Sequence, residues 1–155
     1  MYRLLHQEAP ALDVGSWLNT NIPLSLARLR GKVVVLHAFQ MLCPACVMQG
    51  LPQVNKIFKT FLPNDVAVIG LHTVFEHHEA MQPTALAAFC QQFRYQFPVA
   101  IDRPHGQLPS TMQRYQLQGT PSLVLIDRQG IIRFHHFGHL DDLVLGGIIG
   151  QMISA

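Results

Sequence analysis

The chain has 155 residues, 49% of them hydrophobic and 13% charged, and a formal net charge of +2. Such numbers describe one compact domain with ample core material, and they argue against a disordered chain. No run of like charges offers a nucleic-acid surface, and no segment reaches the ~18 apolar residues of a membrane span.

Residues 1–31 carry little regular signal beyond Leu24-Ser25-Leu26, with Pro10 and Pro23 as punctuation. Residues 33–39 form a near-continuous β-branched run, the pattern of a buried strand. A helix is predicted over 44–62: Pro44 suits a first helical position, and Val47, Leu51, Val54, Ile57, Phe58 and Phe61 recur at helical spacing. Pro52 falls inside that pattern and should kink or interrupt it. A second buried strand follows at 66–71, so 33–71 spells strand–helix–strand, the unit of a parallel sheet. A polar loop over 72–82 leads to a helix over 83–94, with Leu86, Phe89, Cys90 and Phe93 on its apolar face. A short strand at 97–101 and a short helix at 110–115 come next. Gly119-Thr120-Pro121 precedes a strand at 122–126, a turn at 127–130 and a partner strand at 131–137. A terminal helix over 140–153 closes the chain, weakened by Gly146, Gly147 and Gly150. The sum is one α/β domain, residues 1–155, with a mixed sheet.

Three cysteines stand at 43, 46 and 90, too few and too odd in number for a disulfide framework. Cys43-Pro44-Ala45-Cys46 sits where the first strand hands over to the first helix. Cys43 is then at a helix N-terminus, beside free N–H groups and the positive end of the dipole, which favours thiolate. Cys46, about one turn on, is more buried. Cys43 is thus expected to attack a substrate disulfide and Cys46 to resolve the mixed disulfide. The pair lacks the second Cys or His pair that a zinc site requires. Pro121, ahead of a buried strand, is a candidate cis proline that could present a backbone edge, with Thr120, opposite the dithiol; the alternative is an ordinary turn proline.

Cys90 reads as a small buried hydrophobe. Glu76-His77-His78-Glu79 reads as a solvated loop, and His135 and His136, adjacent on a strand, point to opposite faces and should not share a metal. A copper-binding chaperone using Cys43, Cys46 and a nearby histidine is the non-enzyme alternative, since soft thiolates suit Cu(I).

Gly31-Lys32-Val33-Val34-Val35 leading to Phe39, the Cys43–Cys46 motif, Gly119-Thr120-Pro121 and Asp127-Arg128-Gln129-Gly130 together resemble the TlpA-like branch of the thioredoxin superfamily over residues 10–150. The resemblance implies a thioredoxin fold with a strand–helix insertion over 66–101, a nucleophilic Cys43, a resolving Cys46 and a cis Pro121 facing them. It implies no bound cofactor, and as partners protein thiols or disulfides and a redox partner protein. Three positions depart from the pattern: Leu42 replaces a Trp, His37 stands six before Cys43 where an Asp or Asn is usual, and Gln49 replaces a Glu. His37 could replace the missing acid as a base, stabilise thiolate as a cation, or be a neutral core histidine. Thiol peroxidases place Thr three before the reactive Cys and Pro seven before; here those positions are Gln40 and Leu36, so peroxidase is the weaker redox alternative. The first eight residues, Met1 to Glu8, do not read as a secretory leader. Taken as a full translated chain, the protein is expected in the cytoplasm; with a leader removed, in the periplasm.

Overall fold

The computed structural model describes all 155 residues. Its centre is a six-stranded mixed sheet in the order β1-β4-β3-β2-β5-β6. The strands are β1 (Val14–Leu18), β2 (Val33–Phe39), β3 (Val66–His72), β4 (Val99–Asp102), β5 (Ser122–Ile126) and β6 (Ile132–Phe137). β2, β3 and β4 run parallel, whereas β5 pairs antiparallel with β2, β6 with β5, and β1 with β4.

β2 is buried along its whole length because both faces of the sheet are covered. Side chains alternate across a strand. Val33, Val35 and Phe39 therefore enter one core, with Cys46, Leu51, Val54, Ile57, Leu86, Cys90, Leu145 and Ile149. Val34, Leu36 and Ala38 enter the other, with Leu26, Leu29, Met112 and Tyr115. The first core is covered by helices α1 (Leu51–Thr60), α2 (Pro83–Phe93) and α4 (Asp142–Ser154). The second is covered by α3 (Ser110–Arg114) and the N-terminal segment, whose Tyr2, Leu4, Leu5 and Leu12 pack on it.

Four expectations need correction. Residues 14–18, read as irregular, form edge strand β1, held by backbone pairing to β4 with a bulge between Val14 and Ser16. Gly15 and Ser16 break the apolar alternation there, and an edge strand pairs on one side only, so the residue pattern is weak. His72, placed at the start of a polar loop, is the buried last residue of β3. The strand predicted from Phe97 begins at Val99; Phe97 is fully buried ahead of it. The helix predicted over 44–62 is helical from Pro44 but passes through a π turn at Cys46–Gly50 before α1. Leu51 N–H there donates to Cys46 O, one residue further back than in an α-helix, and Pro52 falls in the first turn of α1, where no N–H is required.

Candidate active site

The dithiol occupies the C-terminal end of β2. Cys43 and Cys46 are joined as a disulfide with Cα atoms 5.2 Å apart. Pro44 and Ala45 already have helical geometry, so Cys43 caps the helix. Its carbonyl accepts from Val47 N–H at 3.0 Å, and its Sγ accepts from Cys46 N–H at 3.3 Å. That donor is one of the free N–H groups of a helix start, here aimed at sulfur. Cys46 has no exposed surface, while Cys43 is half-buried and its neighbour Leu42 is exposed.

Across from the dithiol, the Thr120–Pro121 peptide bond is cis. Cys43 Sγ lies 3.6 Å from Thr120 O. Ser122 Oγ donates to Gly119 O at 2.6 Å and Gly138 N–H to Pro121 O at 2.9 Å, which fasten the segment to β5 and to the end of β6. Phe137 lies over Gly119, its ring 3.1 Å from where a Cβ there would stand.

His37 sits on β2 with its ring under the π turn. A Cβ on Gly50 would stand 2.9 Å from both Cε1 and Nε2 of the ring and 3.4 Å from Cβ of Pro121. The turn can therefore rest on the imidazole only with glycine at 50. His37 is buried, its Nε2 has no hydrogen-bond partner, and burial pushes its pKa down to about 4. The ring is neutral at neutral pH, which leaves the cationic alternative without support and keeps Nε2 or Nδ1 open to a proton. Five sequence-predicted site residues, His37, Cys43, Cys46, Thr120 and Pro121, thus converge on one end of the sheet.

Sequence reasoning missed Gln40, Gly50 and His72. Gln40 Oε1 accepts from Phe75 N–H at 3.1 Å, and His72 Nε2 accepts from Met41 N–H at 3.2 Å. No periodicity marks either bond, because each joins segments more than 30 residues apart.

The remaining candidates stand elsewhere. Cys90 is buried in the first core, and burial raises its thiol to about 11, so it is an inert packing group. Residues 76–79 are exposed. His135 stacks on Tyr2 with ring centroids 4.0 Å apart, while a ring nitrogen of His136 meets His139 O at 3.0 Å. No group of three or more His, Cys, Asp or Glu side chains is arranged to hold a metal ion.

The AhpC/TSA family model matches residues 5–135. The chain belongs to the AhpC/TSA family. Among solved structures, it superposes on a thioredoxin-like superfamily protein with a TM-score of 0.94 and 52% identity, covering 96% of this chain and 97% of the other. A thiol-disulfide isomerase from Corynebacterium glutamicum gives 0.90 and 51%, with 95% and 97% covered. The architecture is therefore the thioredoxin fold, and the TlpA-like resemblance is consistent with these relatives. Protein DipZ of Mycobacterium bovis is 30% identical over 149 residues, 94% of this chain but 21% of DipZ. The thiol:disulfide interchange protein DsbE of Xylella fastidiosa is 24% identical over 143 residues, 92% of this chain and 66% of DsbE. The chain thus spans about a fifth of the length of DipZ. No helix of this AhpC/TSA member is long and apolar enough to cross a membrane.

Proposed function

We propose that the protein is a thiol–disulfide oxidoreductase that exchanges disulfides with partner proteins through Cys43 and Cys46. One observation carries the reading: the two cysteines are bonded at a helix start, with Cys46 sealed and Cys43 half-exposed beside the Thr120–Pro121 edge. Only Cys43 can meet a substrate sulfur.

In the reducing direction, Cys43 thiolate attacks a substrate disulfide and expels one substrate sulfur as thiolate. Cys46 then loses its proton and attacks Cys43 Sγ, expelling the second substrate thiolate and closing the Cys43–Cys46 bond. Two electrons pass to the substrate, and a redox partner protein restores the dithiol; in the oxidising direction each step reverses. Cys46 N–H, aimed at Cys43 Sγ, stabilises the attacking thiolate. Neutral His37, its ring against Gly50 four residues after Cys46, can relay the Cys46 proton only transiently, because burial holds its pKa at about 4 and makes it a weak base. Thr120 O and Pro121 offer the edge along which a substrate backbone lies. Against a peroxidase, position 40 carries no hydroxyl, and the Gln40 amide oxygen is engaged by Phe75 N–H.

The test is a redox titration in glutathione buffers, with the linkage mapped by mass spectrometry, on wild type and three variants. Cys43→Ser should abolish exchange, Cys46→Ser should accumulate mixed disulfides, and Cys90→Ser should leave turnover within about twofold. A midpoint near about −270 mV marks a reductant and near about −120 mV an oxidant. Participation of Cys90 in the bond that forms would sink the assignment.

A further inference from the structure

The loop that delivers Cys43 is tied down on the side away from Pro121. Thr73 N–H donates to Phe39 O at 3.1 Å, and Gln40 Oε1 accepts from Phe75 N–H at 3.1 Å. Beside these two ties, Met41 N–H donates to His72 Nε2 at 3.2 Å, with both residues buried. Cys43 N–H then donates to Gln40 O at 3.1 Å. Segment 39–43, which joins β2 to the dithiol, is thus fastened to segment 72–75 beyond the end of β3.

The His72 tie differs from the others in kind. A neutral imidazole accepts at one nitrogen and donates at the other, so a bond accepted at Nε2 requires the proton on Nδ1. Burial keeps the ring neutral, with a pKa pushed down to about 4. His72 Nδ1 has no partner within the protein, and the ring lines a cavity of about 400 Å³ at the C-terminal ends of β3 and β4. The titratable groups sharing that cavity are Asp102, His78 and His105. Asp102 is committed to Thr111 N–H and Met112 N–H, while His78 and His105 are exposed. Nothing facing His72 competes for Nε2.

We propose that His72 is a positioning residue for the dithiol: by accepting Met41 N–H it holds loop 40–43 so that Cys46 N–H stays aimed at Cys43 Sγ. The inference rests on the reading of Cys43 as the attacking thiolate. The aimed N–H matters more to the reduced protein than to the oxidised one, because its bond is charge-assisted only when sulfur is thiolate. Loss of the His72 acceptor should therefore raise the Cys43 thiol pKa and favour the disulfide.

The experiment follows iodoacetamide alkylation of Cys43 against pH, mapped by mass spectrometry, together with the equilibrium constant against glutathione. It compares the full chain with His72→Leu, which has no acceptor, and His72→Gln, whose Oε1 can reach the Met41 amide. His72→Leu should raise the alkylation midpoint by about one unit and shift the equilibrium roughly tenfold toward the disulfide, about 30 mV. His72→Gln should recover most of both. If His72→Leu leaves both at the wild-type values, or if both variants shift alike while losing thermal stability, His72 is packing only and the proposal fails. Should His72→Leu not fold, ring ¹⁵N shifts of the wild type decide: a bare Nε2 with protonated Nδ1 supports the proposal, and a protonated Nε2 overturns it. A wild-type protein in which Cys43 is not alkylated ahead of Cys46 would remove the attacking-thiolate reading itself, a failure visible before any variant is made.

Discussion

Gly50 and His37 are in direct contact at the site. The imidazole occupies the space a side chain at 50 would need, so Gly50→Ala forces the π turn or the ring to move. Overpacking of this kind costs about 1–3 kcal/mol, read as a lower urea midpoint at unchanged m. His37→Phe keeps the aromatic shape and removes the unpartnered Nε2. It should change stability at pH 7 by less than about 1.5 kcal/mol yet slow resolution of the mixed disulfide by roughly a hundredfold. A resolution rate unchanged by that substitution would reduce His37 to a core residue. The presence of a histidine at 37 is plain from the sequence. Its contact with Gly50 is not, because the two residues meet only when the helix folds back over β2.

At the scale of elements, α4 shows where local chemistry and packing diverge. Asp141 and Asp142 interrupt an apolar stretch, and in the structure Asp141 is the cap, its carboxylate accepting from Leu143 N–H at 3.0 Å and Val144 N–H at 3.3 Å. Asp141→Ala should cost about 1 kcal/mol. Gly147 is exposed within the helix, and an added Cβ there meets no atom within 4 Å. The close packing that three glycines would permit is not used within the chain. Gly147→Ala should therefore stabilise by about 0.5–1 kcal/mol, measured by thermal or urea unfolding, and a loss of stability would show that position 147 is covered in solution. β2, β3 and β5 are legible from their unbroken apolar runs and α2 from its helical spacing. β1 is not, since its order comes from pairing with β4 rather than from its own side chains.

For the whole molecule, the two buried histidines set a pH response. His37 and His72 are both held near 4 in the folded state, against 6.5 when free. Above pH 6.5 both states are neutral at these groups and stability does not depend on them. As pH falls from about 6.5 toward 4, the unfolded chain binds protons that the folded chain refuses, and stability drops by up to about 1.4 kcal/mol per pH unit for each histidine. Urea titrations at pH 7, 6 and 5 should show this fall, to which His135, also lowered by burial, adds, and His37→Phe should remove the His37 share of up to about 1.4 kcal/mol per pH unit. A flat profile over that range would contradict the burial of these rings as neutral groups.

The strand–helix–strand order around a Cys-x-x-Cys pair and the proline ahead of β5 are legible along the chain, and with them the fold class and the type of chemistry. Those features are local: each depends on periodicity, on spacing along one element, or on a residue's own backbone preference. Folding alone brings the His37 ring against Gly50, so that a side chain at 50 would collide with it, and carries His72 across to the Met41 amide. Each of these is a contact between segments far apart in the chain, formed by burial and hydrogen-bond satisfaction, and neither leaves a periodic mark on the residues that make it.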